Sequence, residues 1–245
     1  MVAIMHMAIL MVTLIIMRIN QNTDSLGYLR LMQLVSPSLP IGGFTYSQGL
    51  EYAVECGWVS DVDALEDWLT GLLDEGMTYL ELPILKRIYE AIRSGDVENL
   101  TYWSRYLLAS RESRELRLEE TNRAKALSTL LPNLDIPYKQ EMTEAMNSTQ
   151  LAPFSLAAVS WNISMHDSAL GYAWSWLENQ VAAAIKLVPL GQTQGQQIQL
   201  KMAEKISHAV DLGLSLDDEE IGASAPALGI ASGKHETQYT RLFRS

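Results

Sequence analysis

An all-α fold is predicted for this chain by three features of its residue order. Apolar residues recur at i, i+3, i+4 and i+7 along nearly the whole length. No stretch alternates with the period of a strand. Pro and Gly fall between the apolar stripes, where helices have to stop. With 245 residues, 48% of them hydrophobic and 19% charged, the chain has the means to bury a full core. The pattern divides into an apolar segment over residues 1–22, a single bundle-like domain over residues 23–221 and a tail over residues 222–245. The domain is expected to hold about ten helices.

The elements follow in order. Tyr28, Leu31, Met32 and Val35 form the first stripe behind a polar Thr23-Asp24-Ser25 start, and Pro37 and Pro40 end it. A turn at Gly42-Gly43 leads into a short helix from about Ser47 to Cys56, stopped by Gly57. Ser60 and Asp63 have the spacing of a capping box, and Leu65, Trp68, Leu69, Leu72 and Leu73 form the stripe behind them. Pro83 suits the first turn of the next helix, with Leu85, Ile88 and Ile92 inward and Gly95 as its stop. Leu100, Trp103 and Leu107 begin a helix that runs into Arg111-Glu112-Ser113-Arg114-Glu115-Leu116-Arg117, whose opposite charges can pair at helical spacing. Pro132 and Pro137 bracket a loop, and Ser155 to Asn162 reads as a short apolar helix. Asp167 is placed to cap the longest helix, with Leu170, Trp174, Leu177, Val181, Ile185 and Val188 on one face before Pro189 and Gly191. Ile198, Met202, Ile206 and Val210 mark the final helix of the domain.

A formal net charge of -11 leaves no basic surface to neutralise phosphates, so nucleic acid is not an expected partner. Cys56 is the single cysteine, which excludes a disulfide framework and a cysteine-based zinc site and fits a reducing, cytoplasmic setting. Val2 to Ile19 is nearly all apolar but falls short of the roughly 20 residues that span a bilayer, and it lacks the basic flank and cleavage site of a signal peptide. It reads as an extension from an upstream start codon, a weak membrane anchor or a helix packed on the domain. The first reading is favoured, and a membrane role is not expected.

Catalytic signatures are missing from the sequence. There is no P-loop pattern, no Gly-rich dinucleotide loop, no His-Glu-x-x-His and no nucleophile elbow. His6, His166, His208 and His235 are dispersed, and Asp217-Asp218-Glu219-Glu220 reads as a solvated acidic run. Cys56, beside Trp58 at an apolar helix end, reads as a small buried hydrophobe. The expectation is a protein with no catalytic residues, no metal site and no cofactor.

The end of the chain is unusual. From Ser232 to Ser245 it sets Lys234, Arg241 and Arg244 against one acid, Glu236, and carries Tyr239, Leu242 and Phe243. Aromatic, aliphatic and arginine groups of this kind dominate interface energetics, so the segment is either a docking peptide or a tail folded back on its own domain. The Gly-, Ala- and Ser-rich run from Gly222 to Gly233 is expected to leave the tail mobile in the free protein and ordered on a partner.

Three blocks go beyond what periodicity requires: Ser36-Pro-Ser-Leu-Pro-Ile-Gly-Gly-Phe-Thr-Tyr-Ser-Gln-Gly-Leu-Glu51, Asn179-Gln-Val-Ala-Ala-Ala-Ile-Lys-Leu-Val-Pro-Leu-Gly-Gln-Thr-Gln-Gly-Gln196, and His235-Glu-Thr-Gln-Tyr-Thr-Arg-Leu-Phe-Arg-Ser245. Together and in this order they resemble the urease accessory protein UreF family, from about Leu29 to Ser245. The apolar N-terminal segment is the main departure. The resemblance implies an all-α, cytoplasmic, dimer-forming protein that is not an enzyme. It implies work with a UreG-type GTPase and a UreD-type scaffold (UreH in some species) to insert nickel into apo-urease, with GTP driving the step.

On that resemblance Pro37, Pro40, Gly42 and Gly43 fix a turn that presents Phe44 and Tyr46 to a partner, or else simply join two helices. Lys186, Gln192, Thr193, Gln194 and Gln196 offer polar groups beside Pro189 and Gly191. Arg111, Arg114, Arg117 and Arg123 either dock an acidic partner face or form a solvated, salt-bridged helix. His235, Tyr239, Arg241, Leu242, Phe243 and Arg244 complete the expected partner-binding set. Two further readings stay open: a regulator that supplies an arginine finger to the GTPase, and a metallochaperone that binds nickel directly with residues from two subunits.

Overall fold

In a computed structural model of the chain, the structure describes residues 23–244, and among them there is no strand. The expectations for residues 1–22 and for His6 lie outside the described residues. Helix α1 spans Ser25–Leu34 and α2 spans Leu50–Glu55. Helix α3, Val62–Leu72, runs through a π-helical segment, Leu73–Glu81, into α4, Leu82–Ser94. Helices α5 (Val97–Ala109), α6 (Arg114–Leu130), α7 (Thr143–Ser148) and α8 (Leu151–Ser160) follow. Helices α9 (Met165–Leu187), α10 (Gln192–Ser215) and α11 (Pro226–His235) complete the order.

The core assembles around α8, which is apolar on every side and therefore buried on every side; Leu151, Ala152, Phe154, Leu156, Ala157 and Ala158 are all buried. Helices α4 and α9 both pack against it. A four-residue link between Leu187 and Gln192 lets α9 and α10 fold onto one another as a helical hairpin. Ile198, Met202, Ile206 and Val210 form the buried stripe of α10, as their spacing requires. Helix α10, at 24 residues, is one longer than α9, at 23, which corrects the expectation that α9 is the longest.

Two caps sit one step from where the sequence put them. Asp61, not Ser60, caps α3 by accepting from the Ala64 amide at 3.0 Å, while the Ser60 hydroxyl turns onto Asp61. Ser164, not Asp167, caps α9, because its backbone is extended and its hydroxyl faces the Asp167 amide at 3.0 Å. Trp174 is exposed, so the apolar face of α9 runs instead through Tyr172, Trp176, Leu177 and Val181. Cys56 is exposed at the end of α2, which corrects the expectation that it is buried.

The junction of α3 and α4 departs furthest from a local reading. Pro83 does not begin a separate helix; it lies within a continuous one. Proline gives no amide to the carbonyl four residues back, which is that of Tyr79, and its ring crowds that position. The helix responds by widening, with the Leu82 amide reaching the Met77 carbonyl, and the Tyr79 carbonyl accepts from the Gly222 amide at 2.9 Å. Helix α10 crosses at this point. A Cβ on Gly213 would lie 2.8 Å from the Thr78 carbonyl oxygen and 2.9 Å from Leu82 Cβ. Gly213→Ala is therefore expected to destabilise the fold by about 1–3 kcal/mol. A thermal midpoint unchanged within about 1 °C would contradict that close approach, since each kcal/mol is worth roughly 2–4 °C in a domain of this size.

The charged run 111–117 is not one helix. Helix α5 ends at Ala109, and the Ser113 hydroxyl starts α6 by accepting from the Leu116 amide at 3.0 Å. The break turns Arg111 inward. The tail also differs from expectation: residues 226–235 form α11, which packs on α2 and α6. Its small residues serve close approach, with the Ser232 and Ser113 hydroxyls 2.6 Å apart. The feature that suggested mobility is the one that lets this helix dock.

Candidate partner-docking site

The three sequence blocks, far apart in the chain, converge. The turn after α1 closes with a left-handed Gly42 (φ 73°) and a short 3₁₀ turn over Gly43–Thr45. The Thr45 hydroxyl donates to the Gly42 carbonyl at 2.8 Å. This turn lies against α9: a Cβ on Gly43 would sit 3.2 Å from Asn179 Nδ2. It leaves Phe44 57% exposed and folds Tyr46 into the core, so of the two aromatic rings expected at the surface only Phe44 is presented. Pro40, at the turn's entrance, is exposed.

Gln48 and Gly49 both adopt left-handed backbone, with φ 52° and φ 77°. For Gln48 that is uncommon, and it aims the side chain inward. Its amide nitrogen donates to Glu119 Oε1 at 2.9 Å, and its oxygen accepts from Trp176 Nε1 at 3.0 Å and Gln180 Nε2 at 3.1 Å. Gly49 admits α11, since a Cβ there would meet Ala231 Cβ at 3.0 Å and the Ser232 amide nitrogen at 3.1 Å. Gln48 was not among the expected site residues. Its own environment gives it a role, and only the left-handed Gln-Gly step hinted at it.

Glu51, in the first turn of α2, organises the end of the chain. Its buried carboxylate accepts from the Leu242 amide at 2.6 Å and the Phe243 amide at 2.8 Å, and lies 3.0 Å from His235 Nε2. The other ring nitrogen of His235 is 2.7 Å from Glu115 Oε2, and Arg241 donates to Glu115 Oε1 at 2.7 Å. The Arg244 amide donates to the Thr45 carbonyl at 2.9 Å. Residues 236–244 thus form a strap tied to α2, to α6 and to the turn. Phe243 is buried beneath it, with the Lys186 ammonium 5.5 Å from the ring centre. His235 is wholly buried.

The expected site residues therefore divide. His235, Tyr46 and Phe243 are internal and hold the strap and turn in place. Tyr239, Arg241, Leu242 and Arg244 remain exposed on the strap, as do Phe44 on the turn and Lys186 at the end of α9. Gln192, Thr193 and Gln196 are exposed at the start of α10, where Gln194 caps the Gly191 amide at 2.8 Å. The turn, the strap and the end of α9 thus expose three bulky apolar side chains, Phe44, Tyr239 and Leu242, and three cations, Lys186, Arg241 and Arg244, on a protein of net charge -11.

Beneath the site lies a buried ionic cluster, which corrects the docking role expected for Arg111 and Arg123. Arg111 donates to Glu81 at 2.8 Å and to Glu120 at 3.0 Å, and Arg123 to Glu119 at 2.9 Å. Burial on its own pushes the Glu120 carboxyl up. The Arg111 charge and the hydrogen bonds from Thr149, Arg111 and the Gln150 amide outweigh it and hold that carboxyl below the ordinary range. Burial, then the Glu81 and Glu120 charges, push the Tyr172 phenol well above its ordinary value, so it stays a donor to Glu81. Arg114 and Arg117 remain at the surface.

The other two described histidines are peripheral: His208 is exposed, and His166 pairs with Asp211 at 3.1 Å on the surface. Among the described residues no group of three or more His, Cys, Asp or Glu is arranged to hold a metal ion, and no helix is long and apolar enough to cross a membrane.

A family model described as UreF matches residues 59–203 of the chain. A protein named urease accessory protein UreF from Alcanivorax borkumensis is 48% identical over 228 residues, covering 89% of this chain and 98% of that protein. Those of the same name from Alkalilimnicola ehrlichii and Pseudomonas entomophila are 46% and 47% identical, over 92% and 91% of this chain and 99% and 100% of the relatives. With the family model matching residues 59–203 and the relative from Alcanivorax borkumensis covering 89% of the chain at 48% identity, the chain belongs to the urease accessory protein UreF family.

Proposed function

We propose that the protein is a non-catalytic docking scaffold for urease maturation, acting in the cytoplasm as a homodimer. In this reading it joins a UreD/UreH-type accessory protein and a UreG-type GTPase on apo-urease and supports GTP-dependent nickel insertion. The observation that carries the reading is the exposure of Phe44, Tyr239 and Leu242, with the cations Lys186, Arg241 and Arg244, on a turn and a strap that the Arg244–Thr45 hydrogen bond ties together. Three bulky apolar side chains held in water on an ordered base have no use in the monomer, whereas a partner covering them gains apolar burial without having to order the strap. Arginine at such an edge suits carboxylates and carbonyls of the partner.

The arginine-finger alternative loses two of its candidates, because Arg111 and Arg123 are committed to buried carboxylates. A tagged copy expressed with the urease operon tests the reading. The wild type is expected to recover the accessory proteins and support urease activation. A Tyr239→Ser/Leu242→Ser variant, altered only at exposed positions, is expected to lose both while keeping its melting temperature. Full activation by that variant would overturn the docking role of the strap.

A further inference from the structure

The loop between α2 and α3 carries an aromatic group that neither the core nor the strap accounts for. Gly57 closes α2 in left-handed backbone (φ 79°), and the Trp58 and Val59 amides both return to the Ala53 carbonyl, at 2.8 and 3.1 Å. This turn sends Val59 into the core and leaves Trp58, its neighbour, 45% exposed. The indole is held in place. Its ring centre lies 6.1 Å from that of Tyr52 on α2, edge to face, and 6.5 Å from that of Trp68 on α3. A Cβ on Gly57, or on Gly71 one turn beyond Trp68, would meet nothing within 4 Å, so these glycines border open surface rather than a packed neighbour.

Charge decides what such a surface takes. From Leu31 to Leu85 the chain has no Lys or Arg. Within that stretch Glu51 and Glu81 are buried on internal partners, and Glu66 pairs with Lys201 and Lys205 of α10. Glu55, three residues before Trp58, Asp61, three residues after it, and Asp67, next to Trp68, are exposed and form no ion pair among the described residues. Asp61 and Trp68, seven residues apart, share one face of α3. These carboxylates repel an anionic lipid surface or a nucleic acid. An ammonium or guanidinium group is attracted twice, by the carboxylates and by the indole face, which binds cations better than any other aromatic side chain.

We propose that the Trp58 face is a second docking surface, for a Lys- or Arg-bearing segment of another protein. One cation of that segment lies over the indole, and its neighbours pair with Glu55, Asp61 and Asp67. The strap, with Arg241 and Arg244 exposed, carries the opposite charge, so the two surfaces select partners of opposite sign. A rigid loop that already holds the ring in water spares the partner the cost of ordering it. The surface stands apart from the docking role of the strap and does not depend on it.

Hexalysine is the probe, added to the full-length chain labelled with nitrogen-15 at its indoles. The Trp58 indole N–H signal is expected to shift and to saturate, while that of Trp174, an exposed indole on α9, stays in place. Hexaglutamate should move neither. Trp58→Ala is expected to weaken hexalysine binding about fivefold or more, and added salt to weaken it in the wild type. Asp67→Lys, at an exposed position outside the ring stack, should weaken it as well, and it carries the test where the tryptophan variant fails to fold. Equal shifts at Trp58 and Trp174, or wild-type affinity in both variants, overturn the proposal. A wild-type dimer that Asp67→Lys dissociates in sedimentation also overturns it, since a second copy of this chain then covers the face.

Discussion

Arg111→Ala is expected to destabilise the protein by ~3–5 kcal/mol, more than any other single substitution in the ionic cluster or the strap, because it leaves two buried carboxylates without their cation. Arg111 is the shared partner of Glu81 in the π-helical segment and of Glu120 on α6, and Tyr172 of α9 donates to the same Glu81. Its removal therefore strikes three elements at once. The stability of a whole domain is typically ~5–15 kcal/mol, so the loss is a substantial fraction. Urea unfolding of the variant is the check; a free energy within about 1 kcal/mol of wild type would mean that water reaches the cluster and the ion pairs contribute little. The same cluster sets an acid limit. Because the folded Glu120 carboxyl is held below its ordinary value, its contribution is present above about pH 4.3 and is lost as pH falls through the folded value. Wild type should lose stability on acidification more steeply than Arg111→Ala, from which that contribution is already gone.

Glu51→Ala is expected to have the second-largest effect, but a local one. The substitution removes the acceptor of two strap amides and of one His235 nitrogen. Hydrogen bonds to charged groups are worth roughly 1.5–3 kcal/mol each, and buried donors left unpaired cost a similar amount. The strap can avoid that cost by detaching, whereas the core cannot. The expected outcome is therefore faster tryptic cleavage after Arg241, by tenfold or more for each ~1.4 kcal/mol of docking lost, on a protein whose helical signal persists. Cleavage at the wild-type rate would show that Phe243 and the Arg244–Thr45 bond hold the strap without Glu51.

Much of this arrangement was legible from residue order. The stripes of α3 and α10, the Gly95 stop and the polar start of α1 all depend on neighbours within one or two turns, and these appear where the spacing puts them. The three blocks marked the proposed docking surface, and Phe44, Lys186, Arg241 and Leu242 lie on it. What local pattern could not supply was any feature decided by a distant partner. Pro83 looked like a helix start because the Gly222 amide that takes the freed Tyr79 carbonyl lies well over a hundred residues away. Arg111 looked like a surface charge because Glu81 and Glu120 come from other elements. The Gly-, Ala- and Ser-rich stretch looked loose because small size serves both freedom and close packing, and only Gly49 and Ser113 across from it decide between them. His235 gave no sign at all of the two carboxylates that enclose it.

If the turn and the strap act as one docking surface, a Phe44→Ser/Leu242→Ser variant should bind a purified UreD/UreH-type accessory protein more weakly than wild type does. The dissociation constants of the two, measured side by side, decide the matter. Both side chains are exposed in the free chain, so fold and melting temperature are expected to be unchanged. Two truncated anchors should cost at least ~2 kcal/mol and weaken binding roughly thirtyfold or more. A dissociation constant equal to that of wild type would contradict a shared surface and place the docking site elsewhere on the helical domain.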